Sequence, residues 1–431
     1  MADSRSRAAF GYANFRRYML ARFLITCASE IQSVAVGWQI YSITHRPLDL
    51  GLVGLAQFLP GVCLFLFAGH TADRIARLTI LRTCYASFSV CSLALVALTL
   101  HGLGSPHPIY GVLLLNGVVR AFNAPASQAM LPLLVGEQDF PNAVAWSSSI
   151  FQTATILGPV AGGVLYGISD NPVVVYMCAA AAYLIAFLCL QSVKIQSSEV
   201  KAFEDSRTTG LSDLLLQGLR YIRHNKLILG AVSLDLFAVL LGGAVALLPV
   251  YAREILSVGA AGLGILRAAP GIGAVLMAIA VAHWPLKRRA GAAMLTCVFA
   301  FGLFTVVFGL SRNVALSLIM LVLIGASDMV SVIVRHTMIQ LATPNEMRGR
   351  VSAVNMVFIS ASNEVGQFES GVTAQWFGTV PAVVLGGFGT MAIVLGWMLL
   401  FPALRRVDTL EPASLSAALE QAREEKDVIA E

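Results

Sequence analysis

Nine ionisable side chains lie inside apolar stretches of this sequence, where charge is rare. They are Arg22, Glu30, Arg120, Asp235, Arg267, Asp328, Arg335, Glu364 and Glu369. An ionisable side chain near the centre of a lipid bilayer costs at least ~2.5 to 3.5 kcal/mol, so it should face a partner or a watery cavity. A carboxylate held between an arginine and an incoming cation can change its protonation state, as proton coupling requires. We expect all except Arg267 and Glu369 to line a path or to take part in coupling. The leading carboxylates are Glu30, Asp235 and Asp328, with Glu364 behind them.

Twelve apolar segments must position these side chains. They lie near residues 17–43, 50–71, 78–101, 108–131, 140–168, 171–193, 227–252, 260–284, 290–311, 314–338, 347–377 and 381–403. Each is long enough to cross a hydrocarbon core of ~30 Å. The chain of 431 residues is 57% hydrophobic and only 12% charged, whereas soluble domains average roughly 25% charged residues. We therefore predict an all-α membrane protein with twelve transmembrane helices.

The distribution of basic residues predicts the orientation, because cytoplasmic loops retain Lys and Arg. If the N-terminus is inside, the cytoplasmic segments carry 22 of the 29 Lys and Arg residues, and the opposite loops carry only Arg46, Arg253 and Arg312. We therefore expect a multi-pass plasma-membrane protein of a bacterial inner membrane, with both termini in the cytoplasm. The net charge of +5 follows from this topology and does not indicate a nucleic-acid surface.

The sequence repeats itself at an offset of 208 to 210 residues. Pro60-Gly61 recurs as Pro270-Gly271 at an offset of 210, and Gly117 recurs as Gly325 at 208. Such self-similarity predicts two pseudosymmetric six-helix bundles. The expected division is an N-terminal bundle over 1–193, a cytoplasmic linker over 194–226, a C-terminal bundle over 227–405 and a cytoplasmic tail over 406–431. Within the linker, a surface helix is expected from Leu211 to Arg223.

The repeat places two embedded charges at equivalent positions. Arg120 and Asp328 are 208 residues apart, so opposite charges occupy matching places in the two halves. This favours an asymmetric site at the interface of the halves, where repeat transporters tend to bind substrates. Glu30 is the expected partner of Arg120, and Asp235 is the expected partner of Arg335. The alternative is that these pairs only hold helices in register.

A polar loop follows the second apolar segment. Its sequence, GHTADRIAR, contains Gly69, Asp73, Arg74 and Arg77. Asp73 can accept hydrogen bonds from the N-terminus of a neighbouring helix, and the arginines suit the cytoplasmic membrane face. The loop resembles the GxxxDRxxRR signature of the major facilitator superfamily, and the resemblance implies a cytoplasmic gate. The equivalent loop at 283–289 lacks the acidic residue, so we expect a one-sided gate.

The fifth apolar segment contains ATILGPVAGG, with Gly158, Pro159, Gly162 and Gly163. Small residues allow helices to approach closely, and a proline can kink the span. The stretch resembles the GxxxGPxxGG antiporter motif of the same superfamily, with Ala154 in place of the first glycine. That resemblance implies export by proton antiport, and a role in packing alone is the alternative.

Four further stretches, at 21–23, 125–132, 336–340 and 343–350, resemble the enterobactin-exporter-like branch of the superfamily. The resemblance extends from about residue 12 to about residue 405. It implies a secondary active transporter that exports a small amphipathic molecule, such as a siderophore or a drug, by proton coupling and alternating access.

Other classes of protein find less support in the sequence. It has no nucleophile paired with a base, no HExxH and no P-loop, and its seven cysteines lack metal-ligand spacing. We therefore predict no enzymatic activity, cofactor, metal or nucleic-acid partner. The expected partners are a small-molecule substrate, protons and membrane lipids. Two alternatives remain, a lipid or lysolipid transporter and a non-transporting membrane sensor whose tail gives the output.

Overall fold

Helices form nearly all of the chain in this computed structural model, which describes residues 8–102, 104–194, 211–286 and 288–409. Within these ranges the side chains of residues 65, 66, 70, 72–74, 211–215 and 345 lie outside the described part. Across the described ranges the backbone forms helices and turns, without a strand. The predicted all-α fold is confirmed.

Six long helices precede the linker. They are α1 (Ala13–Thr44), α2 (Pro47–Arg74), α3 (Arg77–Leu100), α4 (His107–Gln128), α5 (Phe140–Ser169) and α6 (Pro172–Gln191). Local chemistry sets several of their ends. Proline stands in the first turn of α2, α4, α5 and α6, where its missing N–H costs nothing. The side chain of Asn171 accepts a hydrogen bond from the Val173 amide and so caps α6.

The remaining helices follow the linker. They are α7 (Leu211–His224), α8 (Lys226–Leu241), α9 (Leu248–Val250), α10 (Gly259–His283), α11 (Ala290–Leu310), α12 (Val314–Ala342), α13 (Asn345–Phe377), α14 (Thr379–Leu400) and α15 (Pro402–Arg406). Within the described residues, ten spans are long and apolar enough to cross a membrane. The helices α4 and α13 are not among the ten, since both carry many polar side chains, including Arg120 in α4 and Glu364 in α13.

The seventh predicted span is not one continuous helix, contrary to expectation. Helix α8 ends at Leu241, and a 3-10 turn over Ala244–Leu247, the short α9 and a π-helix over Tyr251–Ile255 complete the crossing. The break falls at Gly242 and Gly243. A methyl group added at Gly243 would lie 2.6 Å from Oγ of Ser370 and 2.9 Å from the Gly366 carbonyl oxygen. Gly243 thus lets α13 approach the broken span closely.

The chain divides into two compact units. One comprises Met1–Leu211 with Ser257–Ala268, and the other comprises Ser212–Leu256 with Ala269–Glu431. Large buried aromatic side chains fill the core of the first unit, among them Tyr18, Tyr85, Tyr176 and Tyr183. Aliphatic residues such as Leu295 dominate the core of the second. Most of the predicted linker and tail, at 195–210 and 410–431, lies outside the described residues.

The sequence repeat corresponds to a repeated helix contact. In the first unit, a methyl group added at Gly117 of α4 would lie 3.1 Å from Cγ of Pro60 in α2. In the second unit, a methyl group at Gly325 of α12 would overlap the carbonyl oxygen of Pro270 in α10. Each glycine therefore allows its helix to pack directly on the proline-containing helix. In each unit, the glycine and the proline that recur in the sequence are therefore in contact with each other.

Candidate functional site

A buried ion pair lies in the second unit. Asp235 on α8 forms an ion pair with Nη1 of Arg335 on α12, and only 7% and 3% of these residues are exposed. Breaking such a pair leaves an unpaired buried charge, which is strongly destabilising. The structure thus joins the two side chains that the sequence predicted to be partners.

A second carboxylate stands beside this pair. Asp328 lies two turns before Arg335 on α12, and both Asp235 and Arg335 act on it electrostatically. A small cavity of about 10 Å³, enough for roughly one water molecule, is bounded by Asp235, Asp328 and Ser331 together with apolar side chains. One guanidinium therefore lies near two carboxylates that both border a small, mostly apolar cavity. Such a group can bind one proton and exchange the arginine between its two acidic neighbours.

The first unit holds a different arrangement around Glu30 on α1. Arg120 on α4 and Arg267 on α10 both lie near enough to attract the Glu30 carboxylate. Arg120 is exposed, and its Nη1 donates a hydrogen bond to Oε1 of Gln57 on α2 at 2.9 Å. The predicted partners Glu30 and Arg120 therefore interact, while the arginine also binds an amide on a third helix.

The small residues of α5 fix the position of Glu30. A methyl group added at Gly158 would lie 2.6 Å from Cβ of Glu30, and one added at Gly162 would lie 2.9 Å from Cα of Ile31. Gly163 packs in the same way against Gly264 of α10, where the added methyl would lie 2.7 Å away. These three glycines form one seam on α5, and the seam determines how closely α1 approaches α5 at Glu30.

Pro159 occupies the same seam from inside α5. It is buried, and its carbonyl oxygen faces Gly264. Arg267 follows Gly264 by three residues, or about one helical turn. The contact between α5 and α10 thus also places Arg267, whose role was not predicted from the sequence.

Arg22 lies apart from this group. It precedes Glu30 by eight residues on α1, which corresponds to about 12 Å along a helix. Its neighbours include Tyr18, whose hydroxyl also lies 2.9 Å from Oγ of Ser127. The half-buried Arg22 therefore belongs to a tyrosine-rich region, two turns from the Glu30 carboxylate.

The two glutamates of α13 have neighbours along their own helix. Glu364 accepts a hydrogen bond from Gln367 at 3.4 Å, and Glu369 accepts one from Thr373 at 2.7 Å. Both glutamates are half-buried. Glu364 stays a candidate for coupling, because the sequence predicts that its helix crosses the membrane.

The predicted gate loop is described in part. Helix α2 ends at Arg74, Gly69 is buried, and the buried Arg77 begins α3. The side chains of Asp73 and Arg74 lie outside the described residues. The gate function of this loop stays a prediction.

Sequence reasoning missed two residues that the structure brings to the Arg120 and Glu30 group. Gln57 binds Arg120 directly, and Arg267 attracts Glu30. A signal was present, because Gln57 and Arg267 are 210 residues apart and so occupy equivalent places in the repeat. A search of the repeat for polar residues at matching positions would have found both.

Comparison with known proteins relates this geometry to a family. The sequence pattern of the family described as transmembrane secretion effector matches residues 5–427. The enterobactin exporter EntS of Citrobacter koseri is 28% identical, over 94% of this chain and 96% of that protein. The enterobactin exporter EntS of Shigella boydii serotype 4 is 27% identical, over 92% of this chain and 94% of that protein.

Solved structures share the fold at low sequence identity. A bacterial homologue of the human lysosomal transporter Spinster, in an inward-facing and unoccupied conformation, superposes with a TM-score of 0.70 at 13% identity, covering 95% of this chain and 98% of that one. The nucleoside transporter NupG superposes with a TM-score of 0.64 at 13% identity, covering 90% and 99%. These neighbours and the curated relatives are transporters. The chain is a multi-pass membrane protein of the transmembrane secretion effector family, within the major facilitator superfamily of secondary transporters.

Proposed function

We propose that this protein exports a small siderophore-like anion across a bacterial inner membrane in exchange for protons, by alternating access. The observation that carries the proposal is the group formed by Asp235, Asp328 and Arg335 beside a small cavity that both carboxylates line. The proposal includes both termini in the cytoplasm and two six-helix bundles divided near residues 194–226.

Proton exchange at this group has a simple physical basis. While Asp328 carries a proton, Arg335 pairs with Asp235 alone. Loss of that proton leaves Asp328 ionised, and the guanidinium then turns toward Asp328 and away from Asp235. Return of the proton restores the first pairing. A switch between two buried pairings gives α8 and α12 two discrete arrangements that protonation can select.

The embedded charges of the first unit suit an anionic substrate. Arg120 and Arg267 lie near Glu30, and Arg22 lies about two turns away on α1. Arg120 presents an exposed guanidinium whose planar donors match carboxylate or catecholate oxygens. The relatives named as enterobactin exporters make a siderophore of that kind the first substrate to test. Apolar surface around these arginines would accommodate the rest of an amphipathic molecule.

The experiment is efflux of enterobactin from a host that lacks its own siderophore exporter, with and without a proton uncoupler. We expect the wild type to export enterobactin in a way that the uncoupler inhibits. In Asp328→Asn we expect this uncoupler-sensitive export to be lost. Asp408→Asn is the matched control, because Asp408 is a carboxylate of the second unit that binds the Arg289 amide at 2.8 Å, away from the coupling group. Efflux indifferent to the uncoupler and to Asp328→Asn would contradict the proposal and favour lipid movement.

A further inference from the structure

Helix α7 presents two chemically different faces. Tyr221 donates a hydrogen bond to the Ala342 carbonyl at 3.3 Å, and Ile222 is fully buried in a cluster with α8, α12 and α13. A methyl group added at Gly218 would lie 2.6 Å from the carbonyl oxygen of Arg350 at the start of α13. This face of α7 is therefore docked tightly on the second unit.

The opposite face is mixed apolar and basic. Leu216 and Leu219 are 64% and 45% exposed, and Arg220 and Arg223 are exposed beside them. At 100° per residue these four positions fall within an arc of about 100°. Among the residues that the structure describes, neither arginine pairs with a carboxylate. Along this side of the helix, two exposed leucines are followed by two exposed arginines toward its C-terminal end.

The position of α7 along the chain places this face at the membrane surface. Only Asn225 separates the end of α7 at His224 from the start of α8 at Lys226, and Asn225 caps α8 by accepting from the Ile228 amide at 3.2 Å. Helix α8 begins a membrane-spanning segment. The C-terminal end of α7 therefore lies at the level where lipid headgroups begin.

We propose that the exposed face of α7 binds anionic phospholipid. The leucines enter the boundary between headgroups and acyl chains, and the arginines reach up to the phosphates, as amphipathic helices at interfaces do. Charge complementarity favours an anionic headgroup over a zwitterionic one. Because Gly218 and Ile222 fix α7 to α13 and to α8, lipid binding would stabilise the helix that carries Asp235. This inference goes beyond the transport function and does not depend on it.

The test is thermal unfolding of the purified full chain in detergent micelles that contain increasing phosphatidylglycerol or phosphatidylcholine. We expect phosphatidylglycerol to stabilise the wild type at lower concentration than phosphatidylcholine does. In Arg220→Gln/Arg223→Gln the concentration needed should rise about 25-fold, since each basic residue near an anionic surface contributes roughly fivefold. The matched control is Arg312→Gln/Arg405→Gln, which removes two exposed arginines outside α7 and should raise that concentration much less than the α7 variant does.

A second variant keeps the test independent of the arginines. Leu216→Ser/Leu219→Ser should weaken stabilisation by both lipids, because it removes the apolar part of the face. Equal stabilisation of the wild type by the two lipids would overturn the proposal. An equal loss of stabilisation in the control variant would overturn it as well. So would a dimer that forms without lipid and that α7 substitutions abolish, because a second copy of the chain would then occupy the exposed face of α7. Melting does not require transport, so failure of the export proposal would leave this result interpretable.

Discussion

The two units repeat one backbone contact and surround it with opposite chemistry. In each, a glycine packs on a proline-containing helix, Gly117 on α2 and Gly325 on α10. Three residues later the first unit has Arg120, exposed and bonded to Gln57, whereas the second has Asp328, half-buried beside an ion pair. The same packing contact is therefore accompanied by opposite charges in the two units.

This difference is consistent with different roles for the two units in transport. A buried pair with a second carboxylate is suited to holding and releasing a proton, because neutralising one member changes the pairing. An exposed guanidinium is suited to binding an anion, because its donors are accessible. We therefore propose proton coupling in the second unit and anion recognition in the first, and the variants below test that proposal.

The largest effect is expected from Arg335→Ala. It leaves the buried Asp235 charged, and breaking a buried pair in this way costs roughly 3–5 kcal/mol. Thermal unfolding in detergent should show a large drop in the melting temperature. Addition of Asp235→Asn should recover much of it, because the unpaired charge is removed. Equal melting of the single and double variants would mean that the two side chains are not coupled.

A smaller but still severe effect is expected from Gly158→Leu. Its side chain would enter the space of Glu30, and overpacking costs about 1–3 kcal/mol. We expect enterobactin efflux to be abolished, because α1 must move away from α5 at the residue that faces Arg120. Gly111→Leu is the control, since Gly111 is exposed on α4 and a methyl group there meets no atom within 4 Å. Wild-type efflux by Gly158→Leu would refute a positioning role for the α5 seam.

Arg120→Gln should change substrate recognition and leave stability nearly unchanged. Arg120 is exposed, and its loss leaves Arg267 beside the Glu30 carboxylate. Loss of one hydrogen bond to a charged group should weaken apparent affinity for an anionic substrate roughly tenfold. The measurement is the dependence of transport rate on substrate concentration, together with the melting temperature. An unchanged KM, or a fall in melting temperature like that of Arg335→Ala, would remove the distinction drawn between the units.

The smallest effect is expected from Tyr176→Phe. The Tyr176 hydroxyl donates to Oε1 of Gln39 at 2.7 Å inside the first unit, and Gln39 donates in turn to Thr99. Side-chain hydrogen bonds between membrane helices are worth about 0.6 kcal/mol on average. We expect a small loss of stability and normal transport. A loss of transport would show that polar contacts outside the two charged groups also take part in the cycle.

Much of the fold was predictable because the bilayer imposes length and hydrophobicity on each helix. The segment predicted at 108–131 is the helix His107–Gln128, and the one at 140–168 is Phe140–Ser169. The break at Gly242 was not predicted. Adjacent glycines also occur inside continuous helices, and composition alone does not show where a neighbouring helix approaches closely.

The candidate site was predictable where a charge inside an apolar segment requires a partner of opposite sign. Arg335 and Asp235 form the predicted pair. The contact of Gly158 with Glu30 was not predicted, because it depends on the depth at which α5 crosses α1, which no sequence spacing fixes. Arg267 was given no role for the same reason, because its position near Glu30 depends on the contact between Gly163 and Gly264.

The most direct test of the account is simultaneous measurement of siderophore and proton movement in proteoliposomes that contain the purified protein and an internal pH dye. With an enterobactin gradient, the wild type should move protons against the siderophore. Asp328→Asn should still exchange enterobactin across the membrane but should no longer move protons with it. Proton movement by Asp328→Asn at the wild-type ratio to enterobactin would contradict the assignment of coupling to the second unit.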